Sequence, residues 1–268
     1  MGRTKRTIAI AALTLVGCSS QITPAATPTI QTATLRLYAT TATAPLINDL
    51  AASYSQFYPY TFEIVTGNYR AMLDDLKRGD VPYFLSNHLS DDIPWAAPIG
   101  QDGLAVIVNP DNPLSELTLE QLRGIYQGYV SNWRDVGGRD LDIALVSRED
   151  GSGTRAEFDR LVMGDRRTSL AAQVAPSSEA MMESVISTPA GIGYVSMGYL
   201  DASVRVLAID GIALTQDTVY SSIYPLRTTL YFAGLEEPQD DYRAFIGWVQ
   251  SPEGQAVVAR HYVPLLRP

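Results

Sequence analysis

Short apolar segments alternate along this chain with segments of helical periodicity, and this alternation limits its possible folds more than any other feature. The segments 35–38, 62–65 and 83–86 predict strands. A helix that starts near Pro45 and a second helix over 69–78 separate them. Alternating strands and helices predict a parallel sheet with helices on its faces. The sequence therefore indicates the α/β class.

The same alternation continues in the second half of the chain. Apolar runs predict strands at 104–108, 143–146, 193–195 and 204–209. Helices are predicted from Thr118, where Gln121 completes a capping box, and over 154–163, 180–186 and 240–260. A strand therefore precedes a helix at several places, which is where α/β proteins bind ligands.

The chain is expected to divide into two lobes. The Asn/Pro-rich break after Val108 and the strand at Val204 are natural points for the chain to cross between them. We expect lobe one to comprise residues 35–106 plus 205–268, and lobe two residues 107–204. Two open α/β lobes place a ligand cleft at the carboxyl ends of their strands.

Residues 1–17 are expected to be a lipoprotein signal peptide. Basic residues precede an apolar stretch at 8–16 that is too short to span a bilayer. It runs into a lipobox that ends at Cys18, the only cysteine, which we expect to be lipidated; a spare thiol is the alternative. Residues 18–34 have the composition of a flexible tether. The protein is therefore expected to be extracytoplasmic and anchored to the cell membrane.

Composition and charge disfavour several function classes. A net charge of −9 without a Lys/Arg run argues against nucleic-acid binding. The two histidines, His88 and His261, have no metal-ligand spacing, and no nucleophile motif is present. We therefore expect no metal, no cofactor and no enzymatic activity. A phosphatase-like enzyme remains an alternative, and His88 is either a loop residue or part of a binding site.

The run from Arg148 to Thr154 has the features of an anion-binding loop. It follows a buried strand and starts a helix, and its two glycines let the backbone approach a ligand. Ser152 and Thr154 offer hydroxyls, and the planar guanidinium of Arg148 matches a tetrahedral oxyanion. Asp150 either orients Arg148 or caps the helix. A glycine-rich turn that only caps a helix is the alternative for the whole run.

Two further strand-to-helix junctions have the same character. Thr41 lies in a run of threonine and alanine before the first helix, and Thr66 precedes Gly67 and Asn68 before the second. Both junctions offer hydroxyl and backbone N–H donors. Because the three junctions are split between the expected lobes, together they favour a shared anion site over three separate helix caps.

Segments along most of the chain resemble the phosphate-binding proteins of bacterial phosphate ABC importers, which have the type II periplasmic-binding-protein fold. The similar segments, in family order, are 102–113, 117–122, 132–133, 148–154, 188–194, 224–226, 230–231 and 245–254. The resemblance implies a two-lobed α/β fold, in which each lobe is a mostly parallel sheet flanked by helices. It also implies a monomeric solute-binding lipoprotein that captures inorganic phosphate and delivers it to ABC permease subunits.

The resemblance also implies a set of ligand-binding residues. These are Thr41, Ala42, Thr66, Asn87, Arg148, Ser152, Gly153 and Thr154, with Asp150 orienting Arg148 from behind. Asn87 departs from the pattern, because the best-known members of the family have an aspartate there. A neutral amide also suits an oxyanion that carries no proton, so sulfate, molybdate and tungstate stay open as ligands. An anion-sensing module without a transporter is a further alternative.

Overall fold

The computed structural model of the protein describes residues 1–2 and 32–266. The expected lipidation site at Cys18, nearly all of the expected signal peptide and most of the expected tether lie outside the described residues. The chain from Thr32 onward is one compact unit. Within the described ranges, no helix combines the length and the apolar character needed to cross a bilayer.

Strands and helices alternate through this unit. The strands are β1 (Ala33–Thr40), β2 (Tyr60–Gly67), β3 (Tyr83–Ser86), β4 (Trp95–Val108), β5 (Glu116–Leu117), β6 (Ala144–Arg148), β7 (Gln173–Ala175), β8 (Gly191–Ser196), β9 (Arg205–Val206), β10 (Ala208–Ile209) and β11 (Arg227–Gly234). The α-helices are α1 (Ala44–Tyr54), α2 (Tyr69–Arg78), α3 (Leu119–Gln127), α4 (Gly153–Phe158), α5 (Ser178–Ser187), α6 (Gln216–Tyr220), α7 (Asp240–Gln250) and α8 (Pro252–Val258). Three 3₁₀ turns, Thr41–Thr43, Trp133–Val136 and Met197–Tyr199, and a π-helical turn, Asp159–Met163, complete the described elements.

Most strands join one mixed sheet in the order β2-β1-β3-β11-β4-β8-β6-β7, and β9 pairs with β4. β1 is parallel to β2 and β3, and β6 is parallel to β7 and β8. β11 is antiparallel to β3 and β4, and β4 is antiparallel to β8. The predicted α/β class is confirmed, and the antiparallel strands lie in the middle of the sheet.

β4 connects two hydrophobic cores. Its first part pairs with β11, and Ile99 there packs in a core with Leu37 and Phe245. Its second part, from Leu104 to Val108, pairs with β8 and packs in a core with Trp133. One continuous strand therefore runs from one core into the other. Segment 207–226 contributes to the second core, and the lobe boundaries expected from the sequence stay predictions.

Local signals account for the helix ends that the sequence predicted. The Asn68 side chain caps α2 by accepting the N–H of Arg70, and Gly79 ends the helix at a φ of 80°. The capping box of Thr118 and Gln121 at α3 is confirmed. The predicted helical tail over 240–260 is instead two helices. Ser251 between them is extended and Pro252 starts α8, because proline suits a first helical turn but not a helix interior.

Candidate anion site

Arg148 is buried at the end of β6, where its guanidinium is held by three side chains. Its Nε and Nη2 atoms donate to the two carboxylate oxygens of Glu149, at 2.7 and 2.9 Å. Nη1 donates to the Ser178 hydroxyl at 3.1 Å, and Nη2 also donates to the Thr41 hydroxyl at 3.0 Å. The Arg148 side chain is only 2% exposed. Its orientation is therefore set before any anion arrives.

Glu149, rather than Asp150, is the carboxylate that orients Arg148. The sequence predicted this role for Asp150, but that side chain is exposed and only its backbone carbonyl is engaged, by Asn68. Gly151 follows with a φ of 79°, so the chain turns sharply at this point. The turn leaves Asp150 at its outer edge and Glu149 against the guanidinium.

The backbone behind Arg148 is fixed by a buried tyrosine. The Tyr194 hydroxyl accepts the backbone N–H of Arg148 at 3.2 Å and lies 3.0 Å from the Ser147 hydroxyl. The Phe158 ring stacks on the Tyr194 ring with centroids 4.0 Å apart. Burial raises the pKa of Tyr194 to about 12, so the phenol stays neutral. These contacts join β6, β8 and α4 behind the loop.

The rest of the predicted loop begins α4. The Ser152 hydroxyl accepts the N–H of Arg155 at 3.3 Å and so caps the helix. Ser152, Gly153 and Thr154 are all buried. The capping alternative considered for this run therefore holds for Ser152, while Arg148 and Thr154 make contacts that a cap does not need.

Thr41 contacts the loop from the 3₁₀ turn after β1, and the buried Ala42 follows it in that turn. The Thr41 hydroxyl accepts from Arg148, and its carbonyl oxygen accepts from the Tyr199 hydroxyl. The Ala42 carbonyl accepts from the Tyr262 hydroxyl at 3.4 Å. This turn therefore meets the Arg148 loop directly, although more than a hundred residues separate them.

Asn87 lies beside the loop directly after β3 and is 1% exposed. Its Nδ2 atom lies 3.5 Å from the Thr154 hydroxyl. Its Oδ1 atom has no hydrogen-bond partner among the described residues. A methyl group added at Gly153 would lie 3.4 Å from that oxygen, so the carbonyl end of the amide faces the backbone of the loop.

Thr66 is the one predicted ligand residue that lies away from the Arg148 loop in the structure. It lies in β2 opposite Ala39 of β1, and its side chain is exposed. The next junction residue, Asn68, reaches the loop instead. Its side-chain amide donates to the Glu149 carboxylate at 2.8 Å and to the Asp150 carbonyl at 3.2 Å.

His88 makes a second bridge near the loop, to α4. Its Nδ1 atom lies 2.7 Å from the Glu157 carboxylate, which also pairs with Arg160. Burial acts to raise the pKa of Glu157, but the hydrogen bonds from His88 and Arg160 lower it on balance. Two cavities, of about 760 and 450 Å³, are lined by His88, and Arg148 lines neither. Asn87 lines the larger cavity, which therefore opens beside Asn87 and not at Arg148.

Sequence reasoning missed several residues that build this site. Ser178 lies next to the helix cap Ser177, and Glu179 accepts from the Tyr199 hydroxyl at 2.7 Å. Tyr194, which fixes the backbone behind Arg148, is another such residue. Within the described ranges, no group of three or more His, Cys, Asp or Glu side chains is arranged to hold a metal ion. The arrangement is suited to hydrogen-bonding a small anion.

Comparisons with known proteins point to one group. The model of a family described as the PBP superfamily domain matches residues 23–253. The phosphate-binding protein PstS of Bacillus subtilis is 31% identical over 166 residues, which are 61% of this chain and 55% of that protein. PstS of Pseudomonas aeruginosa is 32% identical over 197 residues, covering 64% of this chain and 60% of that protein. The chain thus spans 55 to 60% of the length of these two relatives.

Solved structures agree with the sequence relatives. A putative phosphate ABC transporter substrate-binding protein from Clostridium perfringens, with bound phosphate, has a TM-score of 0.82 at 27% identity, covering 87% of this chain and all of that one. An ABC-type phosphate transport receptor from Vibrio cholerae has a TM-score of 0.70 at 27% identity, covering 85% and 99%. The predicted α/β binding-protein fold is therefore confirmed.

Proposed function

The chain belongs to the PBP superfamily, and we propose on that basis that it captures inorganic phosphate outside the cytoplasm for an ABC importer. The names of its relatives and of the similar solved structures support this substrate. The proposed site is formed by Thr41, Ala42, Asn87, Arg148, Ser152, Gly153 and Thr154. It binds the anion without chemical turnover. Thr66 is a weaker member of the proposal, because its side chain is exposed.

The buried and pre-oriented Arg148 guanidinium is the observation that carries the proposal. Burying a charged side chain is costly unless it is paired, and Glu149 provides the pair. The hydroxyls of Thr41 and Ser178 accept from the same guanidinium, and they reach it from separate segments of the chain. Guanidinium and hydroxyl donors that converge at one buried point are the groups that bind phosphate in proteins.

Calorimetric titration of the purified protein with phosphate tests the proposal. We expect one phosphate to bind per chain, and we expect Arg148→Ala to weaken binding by about 100-fold or more, because charge-assisted hydrogen bonds are lost. Arg134→Ala is the matched control, since it removes an arginine paired with Asp140 at the surface. Absence of phosphate binding in the wild-type protein, or unchanged affinity in Arg148→Ala, contradicts the proposal.

Another tetrahedral oxyanion is the second candidate ligand, and Asn87 is the observation that favours it. Asn87 carries no charge, so it does not repel an anion that lacks a proton. Titrations with sulfate, molybdate and tungstate in the same buffer decide between the candidates. An anion that binds more tightly than phosphate replaces it as the proposed ligand.

We propose that the protein acts as a monomer, tethered to the membrane by a lipid on Cys18, and that it docks on ABC permease subunits. The lipobox before Cys18 and the tether composition of residues 18–34 support the anchor. Expression of Cys18→Ser in the native host should move the protein from the membrane fraction to the soluble extracytoplasmic fraction. Retention of this variant in the membrane fraction would rule out the lipid anchor.

A further inference from the structure

The larger of the two cavities lined by His88 is mostly separate from the proposed phosphate site. It has a volume of about 760 Å³, which is in the range of pockets that hold small organic ligands. Asn87 is the only residue of the proposed site in its lining, and the other lining residues come from the segments 88–91, 157–161 and 222–231. Binding of phosphate therefore leaves most of this cavity without a role.

Arg227 in the lining of this cavity is a half-buried cation without a partner. It begins β11, opposite Gly103 of β4. Its side chain has no hydrogen bond and no ion pair with any described residue. The other described arginines of comparable or greater burial, Arg123, Arg148 and Arg155, each have an ion pair. Burial removes part of the hydration of a guanidinium, so an unpaired one in this position is costly.

The two acidic side chains in the same lining do not pair with Arg227. The Glu157 carboxylate lies 2.7 Å from His88 Nδ1 and accepts from Arg160 Nη2 at 2.6 Å. Asp91 is exposed and has no ion pair with a described residue. The five N–H groups of the Arg227 guanidinium are therefore all available to an anion that enters the cavity.

The rest of the lining combines hydroxyl groups with aromatic surface. Thr228 lines the cavity, and its buried hydroxyl has no hydrogen-bond partner among the described residues. Ser222 and Thr229 add two further hydroxyl groups, and Tyr224 and Tyr231 add aromatic rings. Apolar surface with a few polar groups is typical of sites for organic molecules. This lining therefore suits an organic molecule with an acid group better than a bare inorganic ion.

We propose that this cavity is a second ligand site, which binds a small organic anion through a carboxylate or phosphate group paired with Arg227. The planar guanidinium binds two oxygens of such a group at once. The two sites share only Asn87, and Arg148 lies outside the cavity. The organic anion and inorganic phosphate therefore bind together and do not compete.

Calorimetric titration with citrate and with glycerol 3-phosphate tests the inference, because citrate offers carboxylates and glycerol 3-phosphate a phosphate group. We expect at least one of them to bind once per chain, with the same affinity in phosphate-free buffer and in saturating phosphate. Arg227→Met should weaken this binding about tenfold or more and leave phosphate affinity unchanged. Arg134→Met, which alters a surface arginine paired with Asp140, is the matched control. Binding of neither probe, or binding that phosphate abolishes, overturns the inference.

Thermal denaturation without any ligand separates a binding role of Arg227 from a structural one. Methionine keeps an apolar stem but no charge, so Arg227→Met should not lower the melting temperature of the empty protein. Arg123→Met should lower it, because Arg123 pairs with Glu120 and donates to the Val162 carbonyl. A lower melting temperature in Arg227→Met would also overturn the inference. The titrations in phosphate-free buffer do not require phosphate binding, so failure of the proposed function is distinguishable from failure of this inference.

Discussion

The proposed site has two walls that differ in how their polar groups are satisfied. The Arg148 wall consists of Arg148 with Glu149 and Ser178, and its guanidinium is hydrogen-bonded on all three nitrogens. Four of its five N–H groups are used in these bonds, so one N–H on Nη1 and the hydroxyl hydrogens of Thr41 and Ser178 are the donors left for an oxyanion. The Asn87 wall consists of Asn87, whose buried Oδ1 atom has no hydrogen-bond partner among the described residues. The unpaired amide oxygen of Asn87 can accept a hydrogen bond, so this wall responds to whether an oxyanion carries a proton.

The largest expected effect is on stability across pH, at Asp102 of β4, which is fully buried and whose Oδ2 atom has no hydrogen-bond partner among the described residues. Burial raises its pKa from 3.8 to about 7. Its contribution to stability is therefore full below pH 4 and is lost as pH rises through 7. Relative to Asp102→Asn, the wild-type free energy of unfolding should fall by about 4 kcal/mol between pH 4 and pH 8. Urea denaturation in phosphate-free buffer measures this difference.

The control for that experiment is Asp165→Asn, which removes an exposed carboxyl group. It should follow the wild-type stability profile over the same pH range. The backbone N–H of Met197 donates to Asp102, and the charge of Asp102 acts to raise the pKa of Tyr224 and of Tyr262. A constant stability difference between wild type and Asp102→Asn would mean that Asp102 is not held in this desolvated state.

Glu149→Gln tests the other wall with a somewhat smaller effect. It removes the counter-charge of a buried arginine, which typically costs about 3 kcal/mol of folding free energy. Phosphate should restore much of this loss, because the bound anion supplies the missing charge. Thermal denaturation should therefore show a lower melting temperature and a larger phosphate-induced increase than in wild type. An equal increase in both proteins would show that Glu149 does not balance Arg148.

Asn68→Ala should have the smallest effect, because Asn68 contacts Glu149 and the Asp150 carbonyl and not Arg148 itself. It removes the hydrogen bonds to Glu149 and to the Asp150 carbonyl. We expect it to weaken phosphate and sulfate alike, by about fivefold, which corresponds to about 1 kcal/mol. Calorimetric titration with both anions provides the measurement. A change in the phosphate-to-sulfate ratio would show that Asn68 influences the choice of anion and does not act through Arg148 alone.

The parts of the fold that follow local rules were predictable from the sequence. Helix α2 was predicted with the bounds that it has, because the helical pattern over 69–78 and Gly79 mark its ends. β11 and the first part of β4 were not predicted. The stretch 95–103 contains Pro98, Gly100 and Gly103 and has no strand pattern. It is a strand because β11 pairs with it, and pairing between distant segments leaves little trace in a single sequence.

The proposed site likewise has parts that the sequence predicts and parts that it does not. Arg148 and Thr154 could be picked out because a strand, two glycines and a helix follow one another locally. The assignment of Glu149 instead of Asp150 depends on the turn at Gly151, and neighbouring acids look alike in a sequence.

The pairing of Arg148 with Glu149 has a consequence for how the protein responds to ionic strength. The pair is formally neutral, so the proposed anion is held by oriented hydrogen bonds and not by excess positive charge. Added salt screens attraction between net charges, and here there is little such attraction to screen. The chain as a whole carries a charge of −9 and repels an approaching anion. Salt should therefore speed the capture of phosphate while leaving its release nearly unchanged.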